Sequence, residues 1–301
     1  MAEIKEIISE DYVHSANSLF HFMSDAKYLI AALKRQALCP RYCNEDVTYL
    51  RIRHDGDDFN KVAVLLKCFC DIPLRNIFRK FPVRLTDNND LTEEQRQKLK
   101  TELSHTDLYG GYALAFSKKW GETKKLQPIY YLSTESEIVS QFSTMFHEVL
   151  NQDDLPDTVA DALLNAMCYF KPLRGTMRHN METSDGEIIS CEIFKNFHDE
   201  HEWRYVPFKS IVNNMPLDCL IANGAVGSGF LRGMSDKIEE QGFEVAWLTF
   251  KYEEIRYIIV PNYSARREII EAINTLSFDE DIQRPILISK ILVLDDIIKD
   301  F

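Results

Sequence analysis

The chain has 301 residues and a formal net charge of -12, from 35 Lys+Arg against 47 Asp+Glu. At ~150 residues per domain that is one large domain or two modest ones, and 45% hydrophobic with 27% charged residues excludes a disordered chain. No apolar run nears the ~18 residues that span a bilayer, and the acidic balance excludes sequence-independent coating of nucleic acid while leaving room for a local basic groove.

The opening run MAEIKEIISEDYVH alternates charged with apolar residues and lacks the basic head and apolar stretch of a secretion signal. Seven cysteines, an odd number, do not make a disulfide framework, so a cytoplasmic protein with reduced thiols is expected. Residues 18–22 suit a short strand. Ser24 is placed as the N-cap of a helix with Tyr28, Leu29, Ala32 and Leu33 on one face. Residues 47–52 and 62–70 read as strands, and Pro73 closes the second. A helix capped at Thr92 follows, then Tyr109-Gly110-Gly111-Tyr112 leading into a strand at 113–116. Helices are expected over 135–150 and 156–170, and a long polar loop over 171–185. Strands are read at 188–194, 203–206, 245–250, 255–260 and 286–293, with an amphipathic helix at 264–276. No linker divides the chain. A single domain over 1–301 is expected, with 210–301 as a C-terminal lobe. Its class is α+β, with two small β-sheets packed around a cleft and flanked by helices.

P-loop, GxGxxG, HExxH and GxSxG patterns are missing, which removes several enzyme classes. Gly224, Gly227 and Gly229 in NGAVGSGF have no clear strand leading into them, so a phosphate cradle is the weaker reading of that loop. Cys39, Cys43, Cys68 and Cys70 could supply four thiols, but the x3 and x1 spacings are not zinc knuckles. They read as buried, inert thiols, and no metal is expected.

The informative residues are spread out: His21 in LFHF, Tyr109 and Tyr112 around the double glycine, and Glu202 in HEWRYVP. Each has a plainer reading as well, namely a core histidine, a turn with packed rings, and a Glu202–Arg204 ion pair. Glu200 and Glu202 are two apart, so on a strand both would face one pocket. Such carboxylates can share the steering of a cation and the activation of an acceptor; the plainer reading is a solvated acidic turn.

The order His21, Tyr109 or Tyr112, Glu202 resembles the H-Y-E class of ADP-ribosyltransferases, which cleave the glycosidic bond of NAD through an oxocarbenium-like state. The resemblance implies an ADP-ribosyltransferase-like split β-sandwich with NAD as substrate. Cofactor contacts would come from His21, Tyr109 and Tyr112, and catalysis from Glu202 assisted by Glu200. A second, longer resemblance rests on LFHFMSDAKYLIAALK, LCPRYCNED, KCFCDIPL, YGGYALAFSKKWG, QPIYYLS and HDEHEWRYVP. Over about 15–207 these are similar to the AbiGi-type abortive-infection proteins of bacterial phage defence, commonly described as the antitoxin member of a two-gene system. The last third shows no clear match.

The expectation drawn from both is an NAD-dependent ADP-ribosyltransferase acting as a phage-defence toxin. It would modify a nucleic-acid base on RNA or single-stranded DNA and be restrained by an antitoxin protein, without a membrane partner. Arg35, Arg41, Arg174 and Arg178 would guide the strand, the last two following Tyr169 and Phe170. The alternative is a non-catalytic antitoxin module whose acidic surface masks a basic partner or fills a toxin's nucleic-acid site. A hydrolase of NAD with water as acceptor is a third reading. What separates the enzyme from the module is whether His21, a tyrosine of YGGY and Glu202 converge on one cleft.

Overall fold

The computed structural model describes residues 15–54, 56–86, 91–99, 102–152, 156–208, 218–222, 227–240 and 242–300; the opening run at 1–14 and Gly224 lie outside them. The first elements are β1 (Ser18–Met23), α1 (Ala26–Arg35), β2 (Arg41–Asp46), β3 (Lys61–Cys70) and β4 (Arg84–Leu85). After these come α2 (His105–Tyr109), β5 (Tyr112–Ser117), α3 (Glu137–Leu150), α4 (Asp157–Met167), β6 (Phe170–Pro172), β7 (Arg174–Glu182) and β8 (Ile188–Asn196). The last are β9 (Glu202–Tyr205), β10 (Leu220–Ala222), α5 (Ser228–Ile238), β11 (Ile255–Val260), α6 (Tyr263–Asn274) and β12 (Ile291–Val293).

The fold is organised by β3. Its sequence KVAVLLKCFC is a near-continuous apolar run, as a strand covered on both faces requires. β2 and β10 pair with its first half, β9 pairs with Lys67–Cys70, and β1 meets it at Cys70, all antiparallel. From β1 the sheet continues through β5 and β11 to β12, which lies parallel to β11. These strands, with the short Gln127–Pro128 at the far edge of β9, form one nine-stranded sheet that forks along β3. A separate antiparallel sheet of β7, β8 and β4 stands beside it.

Each sheet face has its own core. On one face Leu19, Met23, Phe69, Leu114, Phe116, Trp203 and Tyr205 pack with Leu29 and Leu33 of α1, and with Ile269 and Ile273 of α6. On the other, Val62, Val64 and Leu66 of β3 pack with Phe146 of α3 and Met167 at the end of α4.

The α+β class holds, while most of the strands expected in two packed sheets belong to one forked sheet, with the strand read at 188–194 in the small separate one. Asp25, not Ser24, caps α1, its carboxylate accepting from the Lys27 amide. The strand read at 47–52 is a 3-10 turn at Thr48–Leu50. The polar loop read at 171–185 is mostly strand: β6, then β7 in a long hairpin with β8. β7 reads as a loop because Arg174, Thr176, Arg178, Asn180 and Glu182 all point to water, so only Met177 and Met181 hint at an inner face. The strand read at 286–293 is a helix, Gln283–Ser289, followed by β12. Among the described residues, no helix is long and apolar enough to cross a membrane.

Candidate functional site

In β9, EWRY, alternate residues take opposite faces of the sheet. Trp203 and Tyr205 enter the core beneath α1. Glu202 and Arg204 take the other face, with Glu202 opposite Cys70 and Arg204 opposite Cys68 on β3. Both side chains are buried, Arg204 completely at 0% exposure. A buried charge persists only when countered, and here the counter-charges come from four segments.

Arg204 donates from Nε to Glu202 Oε1 at 2.6 Å, from Nη2 to Glu45 Oε1 at 3.0 Å, and from Nη1 to the Cys168 carbonyl at 2.8 Å. Lys171 Nζ bridges the two carboxylates, at 3.1 Å from Glu200 Oε2 and 2.9 Å from Glu202 Oε2. Lys195 Nζ pairs with Glu200 Oε1 and donates to the Tyr109 hydroxyl at 3.0 Å, and that hydroxyl donates to Glu200 in turn. The Tyr131 hydroxyl accepts from the Glu202 amide at 2.9 Å. Three cations (Lys171, Lys195, Arg204) therefore face three carboxylates (Glu45, Glu200, Glu202).

Burial would raise the Glu200 carboxyl pKa, but Lys171 and Lys195 override it and hold the group down to about 2. At Glu202 the same burial is outweighed by Arg204 and then Lys171, leaving the group well below the usual carboxylate range. Burial, followed by Glu200, pushes the Tyr109 phenol well above its ordinary value, so it stays protonated as a donor. Both carboxylates are ionised and saturated with internal partners.

Of the residues singled out in the sequence, Tyr109, Glu200 and Glu202 meet in this network, and His21 and Tyr112 do not join them. His21 lies opposite Leu114 and its ring packs 5.5 Å from Phe69, on the face away from Glu202. Its Nδ1 is bonded to the Cys68 carbonyl at 2.8 Å. Burial, then the positive Lys67, pushes its pKa well below the imidazole value, so the ring is neutral. Tyr112 pairs with Met23 and packs on the same core as His21's neighbours. Tyr109 is on the opposite side, against Glu200. The link between the tyrosines requires glycine: Gly110 has φ +99°, and a Cβ there would meet the Met23 carbonyl. Glu202 does pair with Arg204, the plainer of its two readings.

Arg35 and Arg41 both bond Glu239 at the end of α5, at 2.9 and 2.7 Å, and Arg41 also bonds Asp236 at 2.8 Å. They are surface clamps on α5 and are not presented to a strand. Arg174 and Arg178 are exposed on one face of β7. Cys39, Cys43, Cys68 and Cys70 are unbonded thiols whose pKa values burial raises.

Lys195, Glu45 and Tyr131 complete the network without having been foreseen. Lys195 had a readable signal: Ile189, Cys191, Ile193 and Lys195 alternate along β8, so the lysine continues an inward-facing row. An open cleft of about 750 Å³ adjoins the network, lined among others by Lys195, Glu200, Arg79, Lys80, Arg84 and Arg174.

A family model described as "Putative abortive phage resistance protein AbiGi, antitoxin" matches residues 97–261. The abortive phage resistance protein AbiGi of Lactococcus lactis subsp. cremoris is 29% identical over 275 residues, which cover 88% of this chain and all of that protein. The similarity thus reaches into the last third, where the sequence reading saw none. No solved structure matches. The description as an antitoxin overturns the expected toxin, and with it the expectation of a restraining antitoxin as partner.

Proposed function

Because the chain belongs to the AbiGi family of abortive phage resistance proteins, we propose that it acts as the antitoxin of a two-gene defence pair, a non-catalytic module that binds and silences a toxin protein. The observation that carries this reading is the commitment of Glu200 and Glu202 to Lys171, Lys195 and Arg204 inside the fold. Carboxylates held in that way brace β9 and leave no free charge to meet a developing cation. The separation of His21 from Glu202 across the sheet supports the same reading, since a nicotinamide nucleotide cannot touch both faces at once. The net charge of -12 suits docking to a basic partner, where complementary potential speeds encounter and fixes orientation.

The test is expression of this chain with and without the toxin encoded beside it. The chain alone leaves growth unchanged, the toxin alone arrests it, and together they restore it and co-purify as one complex. The purified chain incubated with NAD releases no nicotinamide. Growth arrest by this chain alone, or nicotinamide release that Glu202→Gln abolishes, overturns the reading.

A further inference from the structure

The cleft beside the network has a charge opposite to that of the chain. Its lining includes five cations (Arg79, Lys80, Arg84, Arg174 and Lys195) against two carboxylates, Asp199 and Glu200. Lys195 and Glu200 neutralise each other. That leaves four cations facing Asp199, in a molecule whose net charge is -12. Among the described residues, no carboxylate forms an ion pair with Arg79, Lys80, Arg84 or Arg174. Like charges gathered on a concave wall repel one another and are stabilised by an anion between them.

The register of the small sheet arranges part of this wall. Arg84 on β4 is opposite Phe194 on β8, and Arg174 on β7 is opposite Asn196. Positions two apart on a strand share a face, so Arg84, Phe194, Asn196 and Arg174 project together. From strand spacing and rise, the two arginines are ~12 Å apart at Cα, within reach of one phosphate chain from both sides. Phe194 stands between them at 41% exposure, its ring face open to a ligand. Phe81 adds a second ring to the lining. Guanidinium groups recognise phosphate oxygens in bidentate fashion, and exposed rings between cations stack on bases. A volume of about 750 Å³ lies within the range of small-molecule sites.

We infer that this cleft binds a nucleoside phosphate, its phosphates held by Arg84, Arg174, Arg79 and Lys80 and its base stacked on Phe194. The site is independent of the toxin-binding reading, because it is built and tested on this chain alone. It gives the molecule a second input, by which the level of a nucleotide or the presence of a strand end is sensed at a surface beside the internal charge network.

The experiment is isothermal titration of the purified full-length chain at low ionic strength with ATP, AMP, inorganic phosphate, adenosine and a single-stranded RNA decamer. ATP is expected to bind more tightly than AMP, AMP more tightly than phosphate, and adenosine not measurably. Arg84→Ala with Arg174→Ala should weaken ATP by about tenfold or more, while Arg267→Ala, an exposed cation on α6, should not. Phe194→Ala should weaken AMP by about tenfold and leave inorganic phosphate unchanged. Tighter binding of the decamer than of ATP assigns the phosphate to a nucleic-acid strand, and the reverse assigns it to a free nucleotide; both uphold the site. No heat from any phosphate-bearing probe, affinity indifferent to the double variant, or binding of polyglutamate in place of nucleotides would overturn it.

Discussion

The two faces of the sheet at β3 and β9 are made by alternate residues of the same few strands, yet they bury opposite chemistries. One face places His21, Phe69, Trp203 and Tyr205 under α1 and α6, and its histidine is neutral. The other places Glu202 and Arg204 in a network of three cations and three carboxylates. What differs is how a polar group earns its place: the histidine by giving up its charge and keeping one hydrogen bond, the carboxylates by having every charge answered. Residues adjacent in sequence, such as Glu202 and Trp203, therefore obey different rules, and a function assigned to one face does not extend to the other.

The largest way to break this contrast is Arg204→Leu. It leaves Glu202 and Glu45 without their shared cation and the Cys168 carbonyl without a donor, and breaking a buried pair in this way costs about 3–5 kcal/mol. Urea unfolding checks it, and a loss under about 1 kcal/mol would show that the network is solvated. Glu202→Gln keeps the volume and leaves Arg204 with Glu45 and Lys171 with Glu200, so its cost is smaller, about 2–3 kcal/mol by the same measurement.

Acidification separates the faces. Glu200 and Glu202 have folded-state pKa values below their ordinary 4.5. Their stabilisation is complete above that value and is lost as pH falls from about 5 towards 2. His21 and His105 are depressed from 6.5, His105 to about 4, so the unfolded chain takes up their protons first. Stability therefore starts to fall near pH 6.5 with the histidines and steepens below about 5 with the carboxylates. His21→Leu should shrink the first stage to the share carried by His105, while costing about 1 kcal/mol at neutral pH for the lost bond to the Cys68 carbonyl. A single steep loss below pH 5, with nothing above it, would contradict the neutral state of both imidazoles. The smallest effect is expected outside both faces: Glu239→Ala frees Arg35 and leaves Arg41 with Asp236 alone, and should cost about 0.5–1 kcal/mol, diminishing with added salt.

Much of the scaffold was legible because its periodicity is strong. The apolar run of β3, the strand at 255–260 and the helices at 135–150 and 264–276 agree with the structure to within a few residues. The strand β7 was hidden because its outward row is wholly polar, and a half-exposed hairpin gives only a faint alternation. At the site, residue types were visible but their side of the sheet was not. Whether His21 and Glu202 meet depends on register across β1, β3 and β9, which no single strand's pattern contains. The Glu202–Arg204 pairing was readable because both residues lie on one strand. Glu45, Lys171 and Lys195 come from distant segments, Glu45 from the forked sheet and the two lysines from two smaller sheets, and only the tertiary fold brings them together.

That forked sheet also sets a schedule for the ribosome. Arg204 follows Glu45 by 159 residues. At about 5–20 residues per second, roughly ten to thirty seconds of synthesis separate the carboxylate from its cation. For most of that interval, once Cys70 has been made, β3 is without β9 along Lys67–Cys70, and its open edge is a surface on which another nascent chain could add a strand. Folding of the central sheet is therefore a late, largely post-translational event, and any message cut short before the codon for Glu202 yields a product that chaperones or proteases must clear.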